Sequence, residues 1–455
     1  MATNNYIAAI EIGSSKLSGA IGIETYSGIK IMAYASESVN GFITKGVVRN
    51  VDETGKSLNS LINRLESQLN DVTIEKAYIA FGGLSMHSVK SSVTREFDTY
   101  TKITQEIIDD MSLENDAVFA VPEGYQKVQV LPLEYKLNGD KNIMPIGTPT
   151  KNIQCNYLNI VVREQYMKQL EESFEMANVK IMDSFNAARI DADVILSEED
   201  ITSGTALVNI GAETTTVAIY SGKLLRKLTV IPLGSSNITK DLCSEQIPMS
   251  EAEQIKIFRG YTGAQQEQND NNEKNNFNQI IAARMSEILQ NIKYQIETSG
   301  EDIGRIVFTG GGSKLKGLSD IIADNLQSFK IKITNGEELS INNDDNLELT
   351  TGAITPTLFG LLSRGKENCC KENIPVVSTP VQQQQQQPQP ITNLFGDIEP
   401  QPEPETEKTV AKRKPKQNKN GLFDKFLGGL KKAGGDFLKE VADDEDDNSR
   451  DLFNE

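Results

Sequence analysis

Residues 6–16 and 206–215 carry the same grammar, and this echo limits the folds open to the chain more than any other feature. The first segment, Tyr6-Ile7-Ala8-Ala9-Ile10-Glu11-Ile12-Gly13-Ser14-Ser15-Lys16, passes from an apolar strand through an acidic residue into glycine and small hydroxyls, and a strand-like run from Leu17 to Ile23 follows. The second, Ala206-Leu207-Val208-Asn209-Ile210-Gly211-Ala212-Glu213-Thr214-Thr215, does the same before Thr216 to Tyr220. A turn of this kind exposes backbone N–H groups and hydroxyls at a strand end, which suits phosphate oxygens. One such turn alone is an ordinary hairpin. Two in one chain, in phase with a third motif, point to a duplicated domain clamping one polyphosphate. That third motif is Ile306-Val307-Phe308-Thr309-Gly310-Gly311-Gly312-Ser313, a strand entering a glycine turn before the helix-like Leu315 to Leu326. Consecutive glycines let backbone lie against a flat ligand with no Cβ in the way. Between the second and third motifs, Glu253 and Lys256 are spaced to share one face of a helix. On an open surface that pair is a salt bridge worth under about 1 kcal/mol; beside a cleft, the carboxylate and ammonium would reach ribose hydroxyls.

The 455 residues are enough for at least two cores. Up to about residue 365, short β-branched runs alternate with amphipathic stretches of helix length, which predicts α/β architecture. The formal charge of -18 gives no general basic field for a phosphate backbone, so no nucleic-acid partner is expected. With His87 the single histidine, a multi-histidine metal site is excluded and a Ser/His/Asp triad would have to run through that one residue. Cys155, Cys243, Cys369 and Cys370 include no C-x-x-C pair, as expected in a reducing cytoplasm. Met1 to Asn5 lacks the basic start of a secretory signal, and no apolar run approaches the roughly 20 residues of a spanning helix. Residues 366–420, with Pro-rich and Glu-rich stretches and the glutamine run Gln382 to Gln387, predict a disordered linker. Gln265 to Asn278 reads as a mobile polar loop inside the second half.

In this order, two phosphate turns, the Glu-x-x-Lys helix and Thr-Gly-Gly-Gly resemble the actin/Hsp70/sugar-kinase ATPase superfamily. Further segments narrow the resemblance to the bacterial cell-division FtsA family: Asn40 to Asn50, Ala77-Tyr78-Ile79-Ala80-Phe81-Gly82-Gly83, Val130-Leu131-Pro132-Leu133-Glu134-Tyr135, and Ile281 to Leu289 with Arg284 and Glu287. The resemblance implies an actin-like duplicated ATPase fold without the usual second subdomain and with a small α/β subdomain inserted elsewhere. Residues 1–84 and 163–195 would form the first half, 85–162 the insertion, and 196–365 the second half with the nucleotide and FtsZ-tail sites. It further implies ATP with Mg2+ as cofactors. Glu11 would orient a magnesium-bound water, and Gly13, Ser14, Ser15 and Lys16 would cradle the β- and γ-phosphates. Gly211, Thr214 and Thr215 would face them, Glu253 and Lys256 would address the ribose, and Gly310, Gly311, Gly312 and Ser313 would lie against the adenosine. Where the superfamily places aspartate and then Gly-Gly-Gly-Thr, this chain has Asn209, then Gly211-Ala212-Glu213. Asparagine carries no charge to hold a magnesium shell, and Glu213, if it faces the nucleotide, repels a γ-phosphate. ATP binding with weak or no hydrolysis is therefore expected.

Residues 421–441 give an independent signal. At 100° per residue, Leu422, Phe423, Phe426, Leu427, Leu430, Phe437 and Leu438 fall on one half of a helical wheel, and Lys425, Lys431 and Lys432 on the other. Gly428, Gly429, Gly434 and Gly435, at roughly 1 kcal/mol each relative to alanine, leave such a helix unstable alone in water. An apolar surface must induce it, as for an interfacial membrane helix. The bulk charge conceals nine basic and three acidic side chains in 411–441, followed by one basic and seven acidic in 443–455. The first stretch would feel anionic lipid within a Debye length of about 8 Å. Residues 442–455 read as a solvated acidic tail.

Taken together, these features imply an ATP-binding, self-assembling actin homologue, peripheral on the cytoplasmic face of the membrane at the division site. It would tether FtsZ, whose tail peptide would dock near Arg284, Glu287 and Lys293, and recruit other division proteins. The alternatives are a sugar-type small-molecule kinase of the same superfamily, for which no cleft carboxylate is evident, and a pilus-assembly actin homologue.

Overall fold

The structure is a computed structural model that describes residues 5–372 apart from 27, 70, 71, 143, 261–271, 335–338, 340, 345, 346, 348, 350 and 351. The expected linker beyond residue 372, the helix at 421–441 with all its named apolar and lysine residues, and the acidic tail lie outside the described residues.

Two core sheets repeat one topology. In the first, strands run in the order Lys180–Asn186, Lys76–Phe81, Tyr6–Ile12, Lys16–Thr25, Gly28–Ser38, with Asn342–Asn343 added at the last edge. In the second the order is Lys330–Ile333, Arg305–Thr309, Thr205–Ile210, Thr215–Ser221, Leu224–Ile231. Each has an antiparallel three-strand meander extended by two parallel strands. The central strands Tyr6–Ile12 and Thr205–Ile210 are almost wholly buried, as near-continuous apolar runs covered on both faces must be.

Register makes the duplication explicit. Glu11 pairs with Ser18 on one side and Ala80 on the other, and Asn209 pairs with Thr216 and Thr309. Glu11 and Asn209 thus hold equivalent places, and so do Gly82-Gly83 and Gly311-Gly312. The glycine turn after Thr309 has a counterpart in the first half, a correspondence that the identities Phe81 and Gly310 obscure in the sequence.

Helices cover the sheets for legible reasons. Val51–Glu66 is capped by Asn50, whose side chain accepts from the Glu53 amide at 3.0 Å, with Asp52 and Glu53 in its first turn and Arg64 in its last, and it buries Leu58, Leu61, Ile62 and Leu65. Asn186 caps Ala187–Ile195, and Thr355, followed by Pro356, caps Pro356–Arg364. These two helices cross closely: a Cβ on Gly360 would stand 2.5 Å from the Ile190 methyl. Asn272–Glu297 lays Ile281, Met285, Ile288, Leu289, Ile292 and Ile296 on the second core. This corrects the mobile loop expected at 265–278, because residues 272–278 begin that helix; 265–271 lie outside the described residues.

Residues 87–163 build a separate sheet in the order Asp140–Asn142, Tyr125–Leu137, Pro149–Arg163, His87–Lys102, with the helix Gln105–Val118 on it and a small core of Val93, Ile103, Met111, Leu137, Ile153, Cys155 and Tyr157. His87 serves this structure: its ring meets Tyr125 edge-on and its Nδ1 lies 2.9 Å from the Ser85 carbonyl. Among the described residues no helix is long and apolar enough to cross a membrane. Residues 366–372, expected to belong to a linker, are instead attached to the first half, since Cys370–Glu372 pairs antiparallel with Val72–Ile74 and the Cys369 amide donates to the Tyr6 carbonyl at 2.7 Å. Short polar Asn368 accomplishes this by accepting from the Tyr6 amide at 3.1 Å.

Candidate functional site

The two turns converge on a polar cluster at the foot of the central strands. Glu11 ends one strand and Asn209 the other, while the crossing helices contribute Asp191, Thr355 and Thr357. Thr355 donates its hydroxyl to Glu11 at 2.6 Å, Thr357 donates to Asp191 at 2.6 Å, and the Asn209 amide donates to Asp191 at 2.8 Å. Burial pushes the Glu11 pKa up, against the opposing pull of the Thr355 hydroxyl and the Lys16 charge. Burial also raises Asp191, to about 7, despite its hydrogen bond from Thr357; the nearby Glu11 charge adds to the rise. Asp191 is the buried carboxylate beside the turns that the sequence did not reveal, and its signal was an acid on the apolar face shared with Ala188 and Ala192.

Both turns have one geometry. A Cβ at Gly13 would lie 2.7 Å from the Lys16 carbonyl oxygen, and one at Gly211 would lie 2.9 Å from that of Thr214. Each glycine is therefore required by its own chain. Ser15 and Lys16 are exposed, whereas Ser14 accepts from the Gly46 amide at 2.7 Å. Thr214 is half-buried at the second turn, but Thr215 departs from its expected role: it is buried and donates its hydroxyl to the Leu233 carbonyl at 2.8 Å. That bond ties the turn to the segment entering the helix Ser235–Leu242. Glu213 reaches the other half of the duplicated fold and accepts from the Lys45 amide at 2.6 Å.

The third motif divides in the same way. A Cβ on Gly310, whose φ is 88°, would stand 2.3 Å from the Asn209 side-chain oxygen, and one on Gly312 would stand 2.3 Å from the Ile210 methyl. Ser313 is buried and donates to the Gly310 carbonyl at 2.7 Å. Gly311 alone of the three glycines has no atom within 4 Å of where a Cβ would be, so it is the position open to a ligand.

Glu253 and Lys256 do face one another, at 2.8 Å, but not as a surface pair. Lys256 is buried; its ammonium donates to Glu253, to the Thr239 hydroxyl at 3.0 Å and to the Ser235 carbonyl at 3.3 Å. Three acceptors use its three N–H bonds, so Lys256 clamps the helix Ser235–Leu242 in this structure. Glu253, 43% exposed, keeps a free approach. Arg284 is likewise engaged: its guanidinium forks onto Asp241 at 2.6 and 3.0 Å and also binds Glu287. Lys293 is exposed, 3.8 Å from Glu297. The described residues contain no cluster of three or more metal-ligating side chains. Of the two acids, half-buried Glu11 could address a magnesium ion through its waters, whereas Asp191 is buried with one oxygen taken by Thr357 and the other by Asn209.

A sequence model for the family described as "Cell division protein FtsA" matches residues 206–352. Cell division protein FtsA of Porphyromonas gingivalis is 28% identical over 334 residues, covering 69% of each chain. Its Escherichia coli counterpart is 24% identical over 392 residues, covering 80% of this chain and 90% of the relative. Among solved structures, one titled "PilM-PilN type IV pilus biogenesis complex" superposes with a TM-score of 0.58 at 16% identity, over 78% of this chain and 96% of that one, a likeness of fold.

Proposed function

Because the chain is a relative of the cell division protein FtsA with an actin-like fold, we propose that it binds ATP with Mg2+ between its two glycine turns and links FtsZ to the cytoplasmic membrane at the division site. The observation that carries the nucleotide part is the pair of equivalent turns flanking one cluster of Glu11, Asn209 and Asp191. Ser15, Lys16 and Thr214 would hold phosphate oxygens, Gly311 would lie under the adenosine, and Glu253 would reach the ribose. Glu11 would orient the waters of the magnesium ion, which would neutralise phosphate charge, and Asp191 would hold Asn209 in place behind it. With Asn209 as a neutral partner, the ATP complex turns over weakly or not at all.

The FtsZ tail would dock on the helix carrying Arg284, Glu287 and Lys293, exchanging one of its carboxylates for Asp241 on the Arg284 fork. Residues 421–441 would attach to lipid, and self-assembly would multiply that attachment by avidity. Pull-down of the full chain by an FtsZ tail peptide, with Arg284→Glu as control, decides the partner; equal capture of both proteins would remove it. Co-sedimentation with anionic vesicles, with and without residues 421–441, decides the membrane.

A further inference from the structure

Lys45 and Gly46 occupy consecutive left-handed conformations, with φ of 51° and 74°. The loop is pressed against the glycine turn of the first half: a Cβ on Gly46 would be 2.7 Å from the Gly83 Cα, and the Leu84 amide donates to the Lys45 carbonyl at 2.9 Å. They form the two-residue turn between the paired Thr44 and Val47, and their N–H groups donate outward to acceptors beyond the hairpin. Each half of the duplicated fold supplies an acceptor to it. The Gly46 amide donates to Ser14 of the first turn at 2.7 Å, and the Lys45 amide donates to the Glu213 carboxylate of the second turn at 2.6 Å. A carboxylate from one turn thus fills an anion position beside the other.

We infer that Glu213 is an internal stand-in for the terminal phosphate of a bound nucleotide, and that it sets the discrimination between nucleoside triphosphate and diphosphate. This rests on the nucleotide reading of the same cleft. A triphosphate held by both turns would compete with Glu213 for the Lys45 amide through the third phosphate, which a diphosphate lacks. Carboxylate and phosphate cannot share one N–H, and they repel. The triphosphate must therefore turn Glu213 out, whereas a diphosphate leaves it in place. In the diphosphate complex Glu213 continues to bind the Lys45 loop to the second turn, and in the triphosphate complex the nucleotide replaces it.

The test is competition of ATP and ADP against a fluorescent nucleotide on the full chain, for the wild-type protein, Glu213→Ala and Glu213→Gln. ATP affinity should rise about tenfold in Glu213→Ala with ADP changed less than twofold, and Glu213→Gln, which keeps an acceptor without the charge, should fall between. Equal shifts for both nucleotides, or none, with binding intact, overturn the stand-in alone. Failure of either nucleotide to bind wild-type protein overturns the nucleotide reading and this inference together. A second readout needs no nucleotide: hydrogen exchange at the Lys45 amide should accelerate at least about tenfold in Glu213→Ala, since that amide loses its acceptor. An unchanged rate overturns the contact on which the inference stands.

Discussion

The two glycine turns share their backbone and differ in their chemistry. The first presents an acid at Glu11 and an ammonium at Lys16; the second presents neutral Asn209 and acidic Glu213 at a position beside its glycine. Duplication preserved what the backbone needs, namely the strand register and the glycine whose Cβ would collide with the carbonyl three residues on. What diverged is charge, because a side chain at a turn answers to the ligand and to the opposite half rather than to its own strand. Neutral Asn209 instead donates its amide to the buried Asp191 carboxyl, a contact that an acid at 209 could not make while ionised.

The largest effect expected from this comparison is at the third motif and its counterpart. Gly310→Ala puts a Cβ 2.3 Å from Asn209 in a left-handed conformation, and should destabilise the protein by about 2–4 kcal/mol in chemical denaturation. Gly82→Ala, with no atom within 4 Å, should cost under about 0.5 kcal/mol. Gly311→Ala, at the position equivalent to Gly82 and equally open, should cost as little, and a clearly larger loss there would mean that the halves are not built alike.

Next comes Lys256→Met, which strips three hydrogen bonds from a buried clamp in the second half; a loss of about 2 kcal/mol is expected. A neutral result would return Lys256 to ligand duty.

The shared acid cluster gives a pH signature. Asp191 is raised from an ordinary carboxyl value to about 7 and Glu11 is also raised, so between about pH 4 and 7 the folded state holds protons that the unfolded state has released. Their contribution is fully present below the unfolded pKa and is lost as pH rises through the folded values. Unfolding free energy should fall across that window, and Asp191→Asn should flatten the slope. Because lowered carboxyls such as Asp200 act in the opposite sense, the difference between the two proteins is the readout, and a slope that Asp191→Asn leaves unchanged would contradict the burial of this carboxyl.

The smallest effect is expected at Arg284→Ala. The side chain is a quarter exposed, and its loss from Asp241 should lower stability by about 1 kcal/mol or less.

Much of this was legible because it rests on local backbone demands. Glycine after a β-branched strand, small hydroxyls and a repeat of both are written at residues 6–16 and 206–215. The buried face of Asn272–Glu297 follows from its apolar spacing, although the polar residues at its start concealed its first turns. What could not be seen depends on distant packing. Asp191 acquires its place only when Gly360 lets two helices cross, and Thr215 and Ser313 turn their hydroxyls inward to carbonyls that no spacing rule identifies. Lys256 looked like half of a surface pair because the sequence shows Glu253 three residues away and does not show Thr239 and Ser235 behind it.

The return of residues 366–372 to the first sheet has a mechanical consequence. Any tension carried by the chain beyond Glu372 reaches the folded body through the three-residue pairing with Val72–Ile74 and then the bonds of Cys369 and Asn368 to Tyr6. Those bonds abut the start of the central strand Tyr6–Ile12, whose far end carries Glu11 and the first turn. A pull would first load the short outer pairing and only then a central strand that is almost wholly buried.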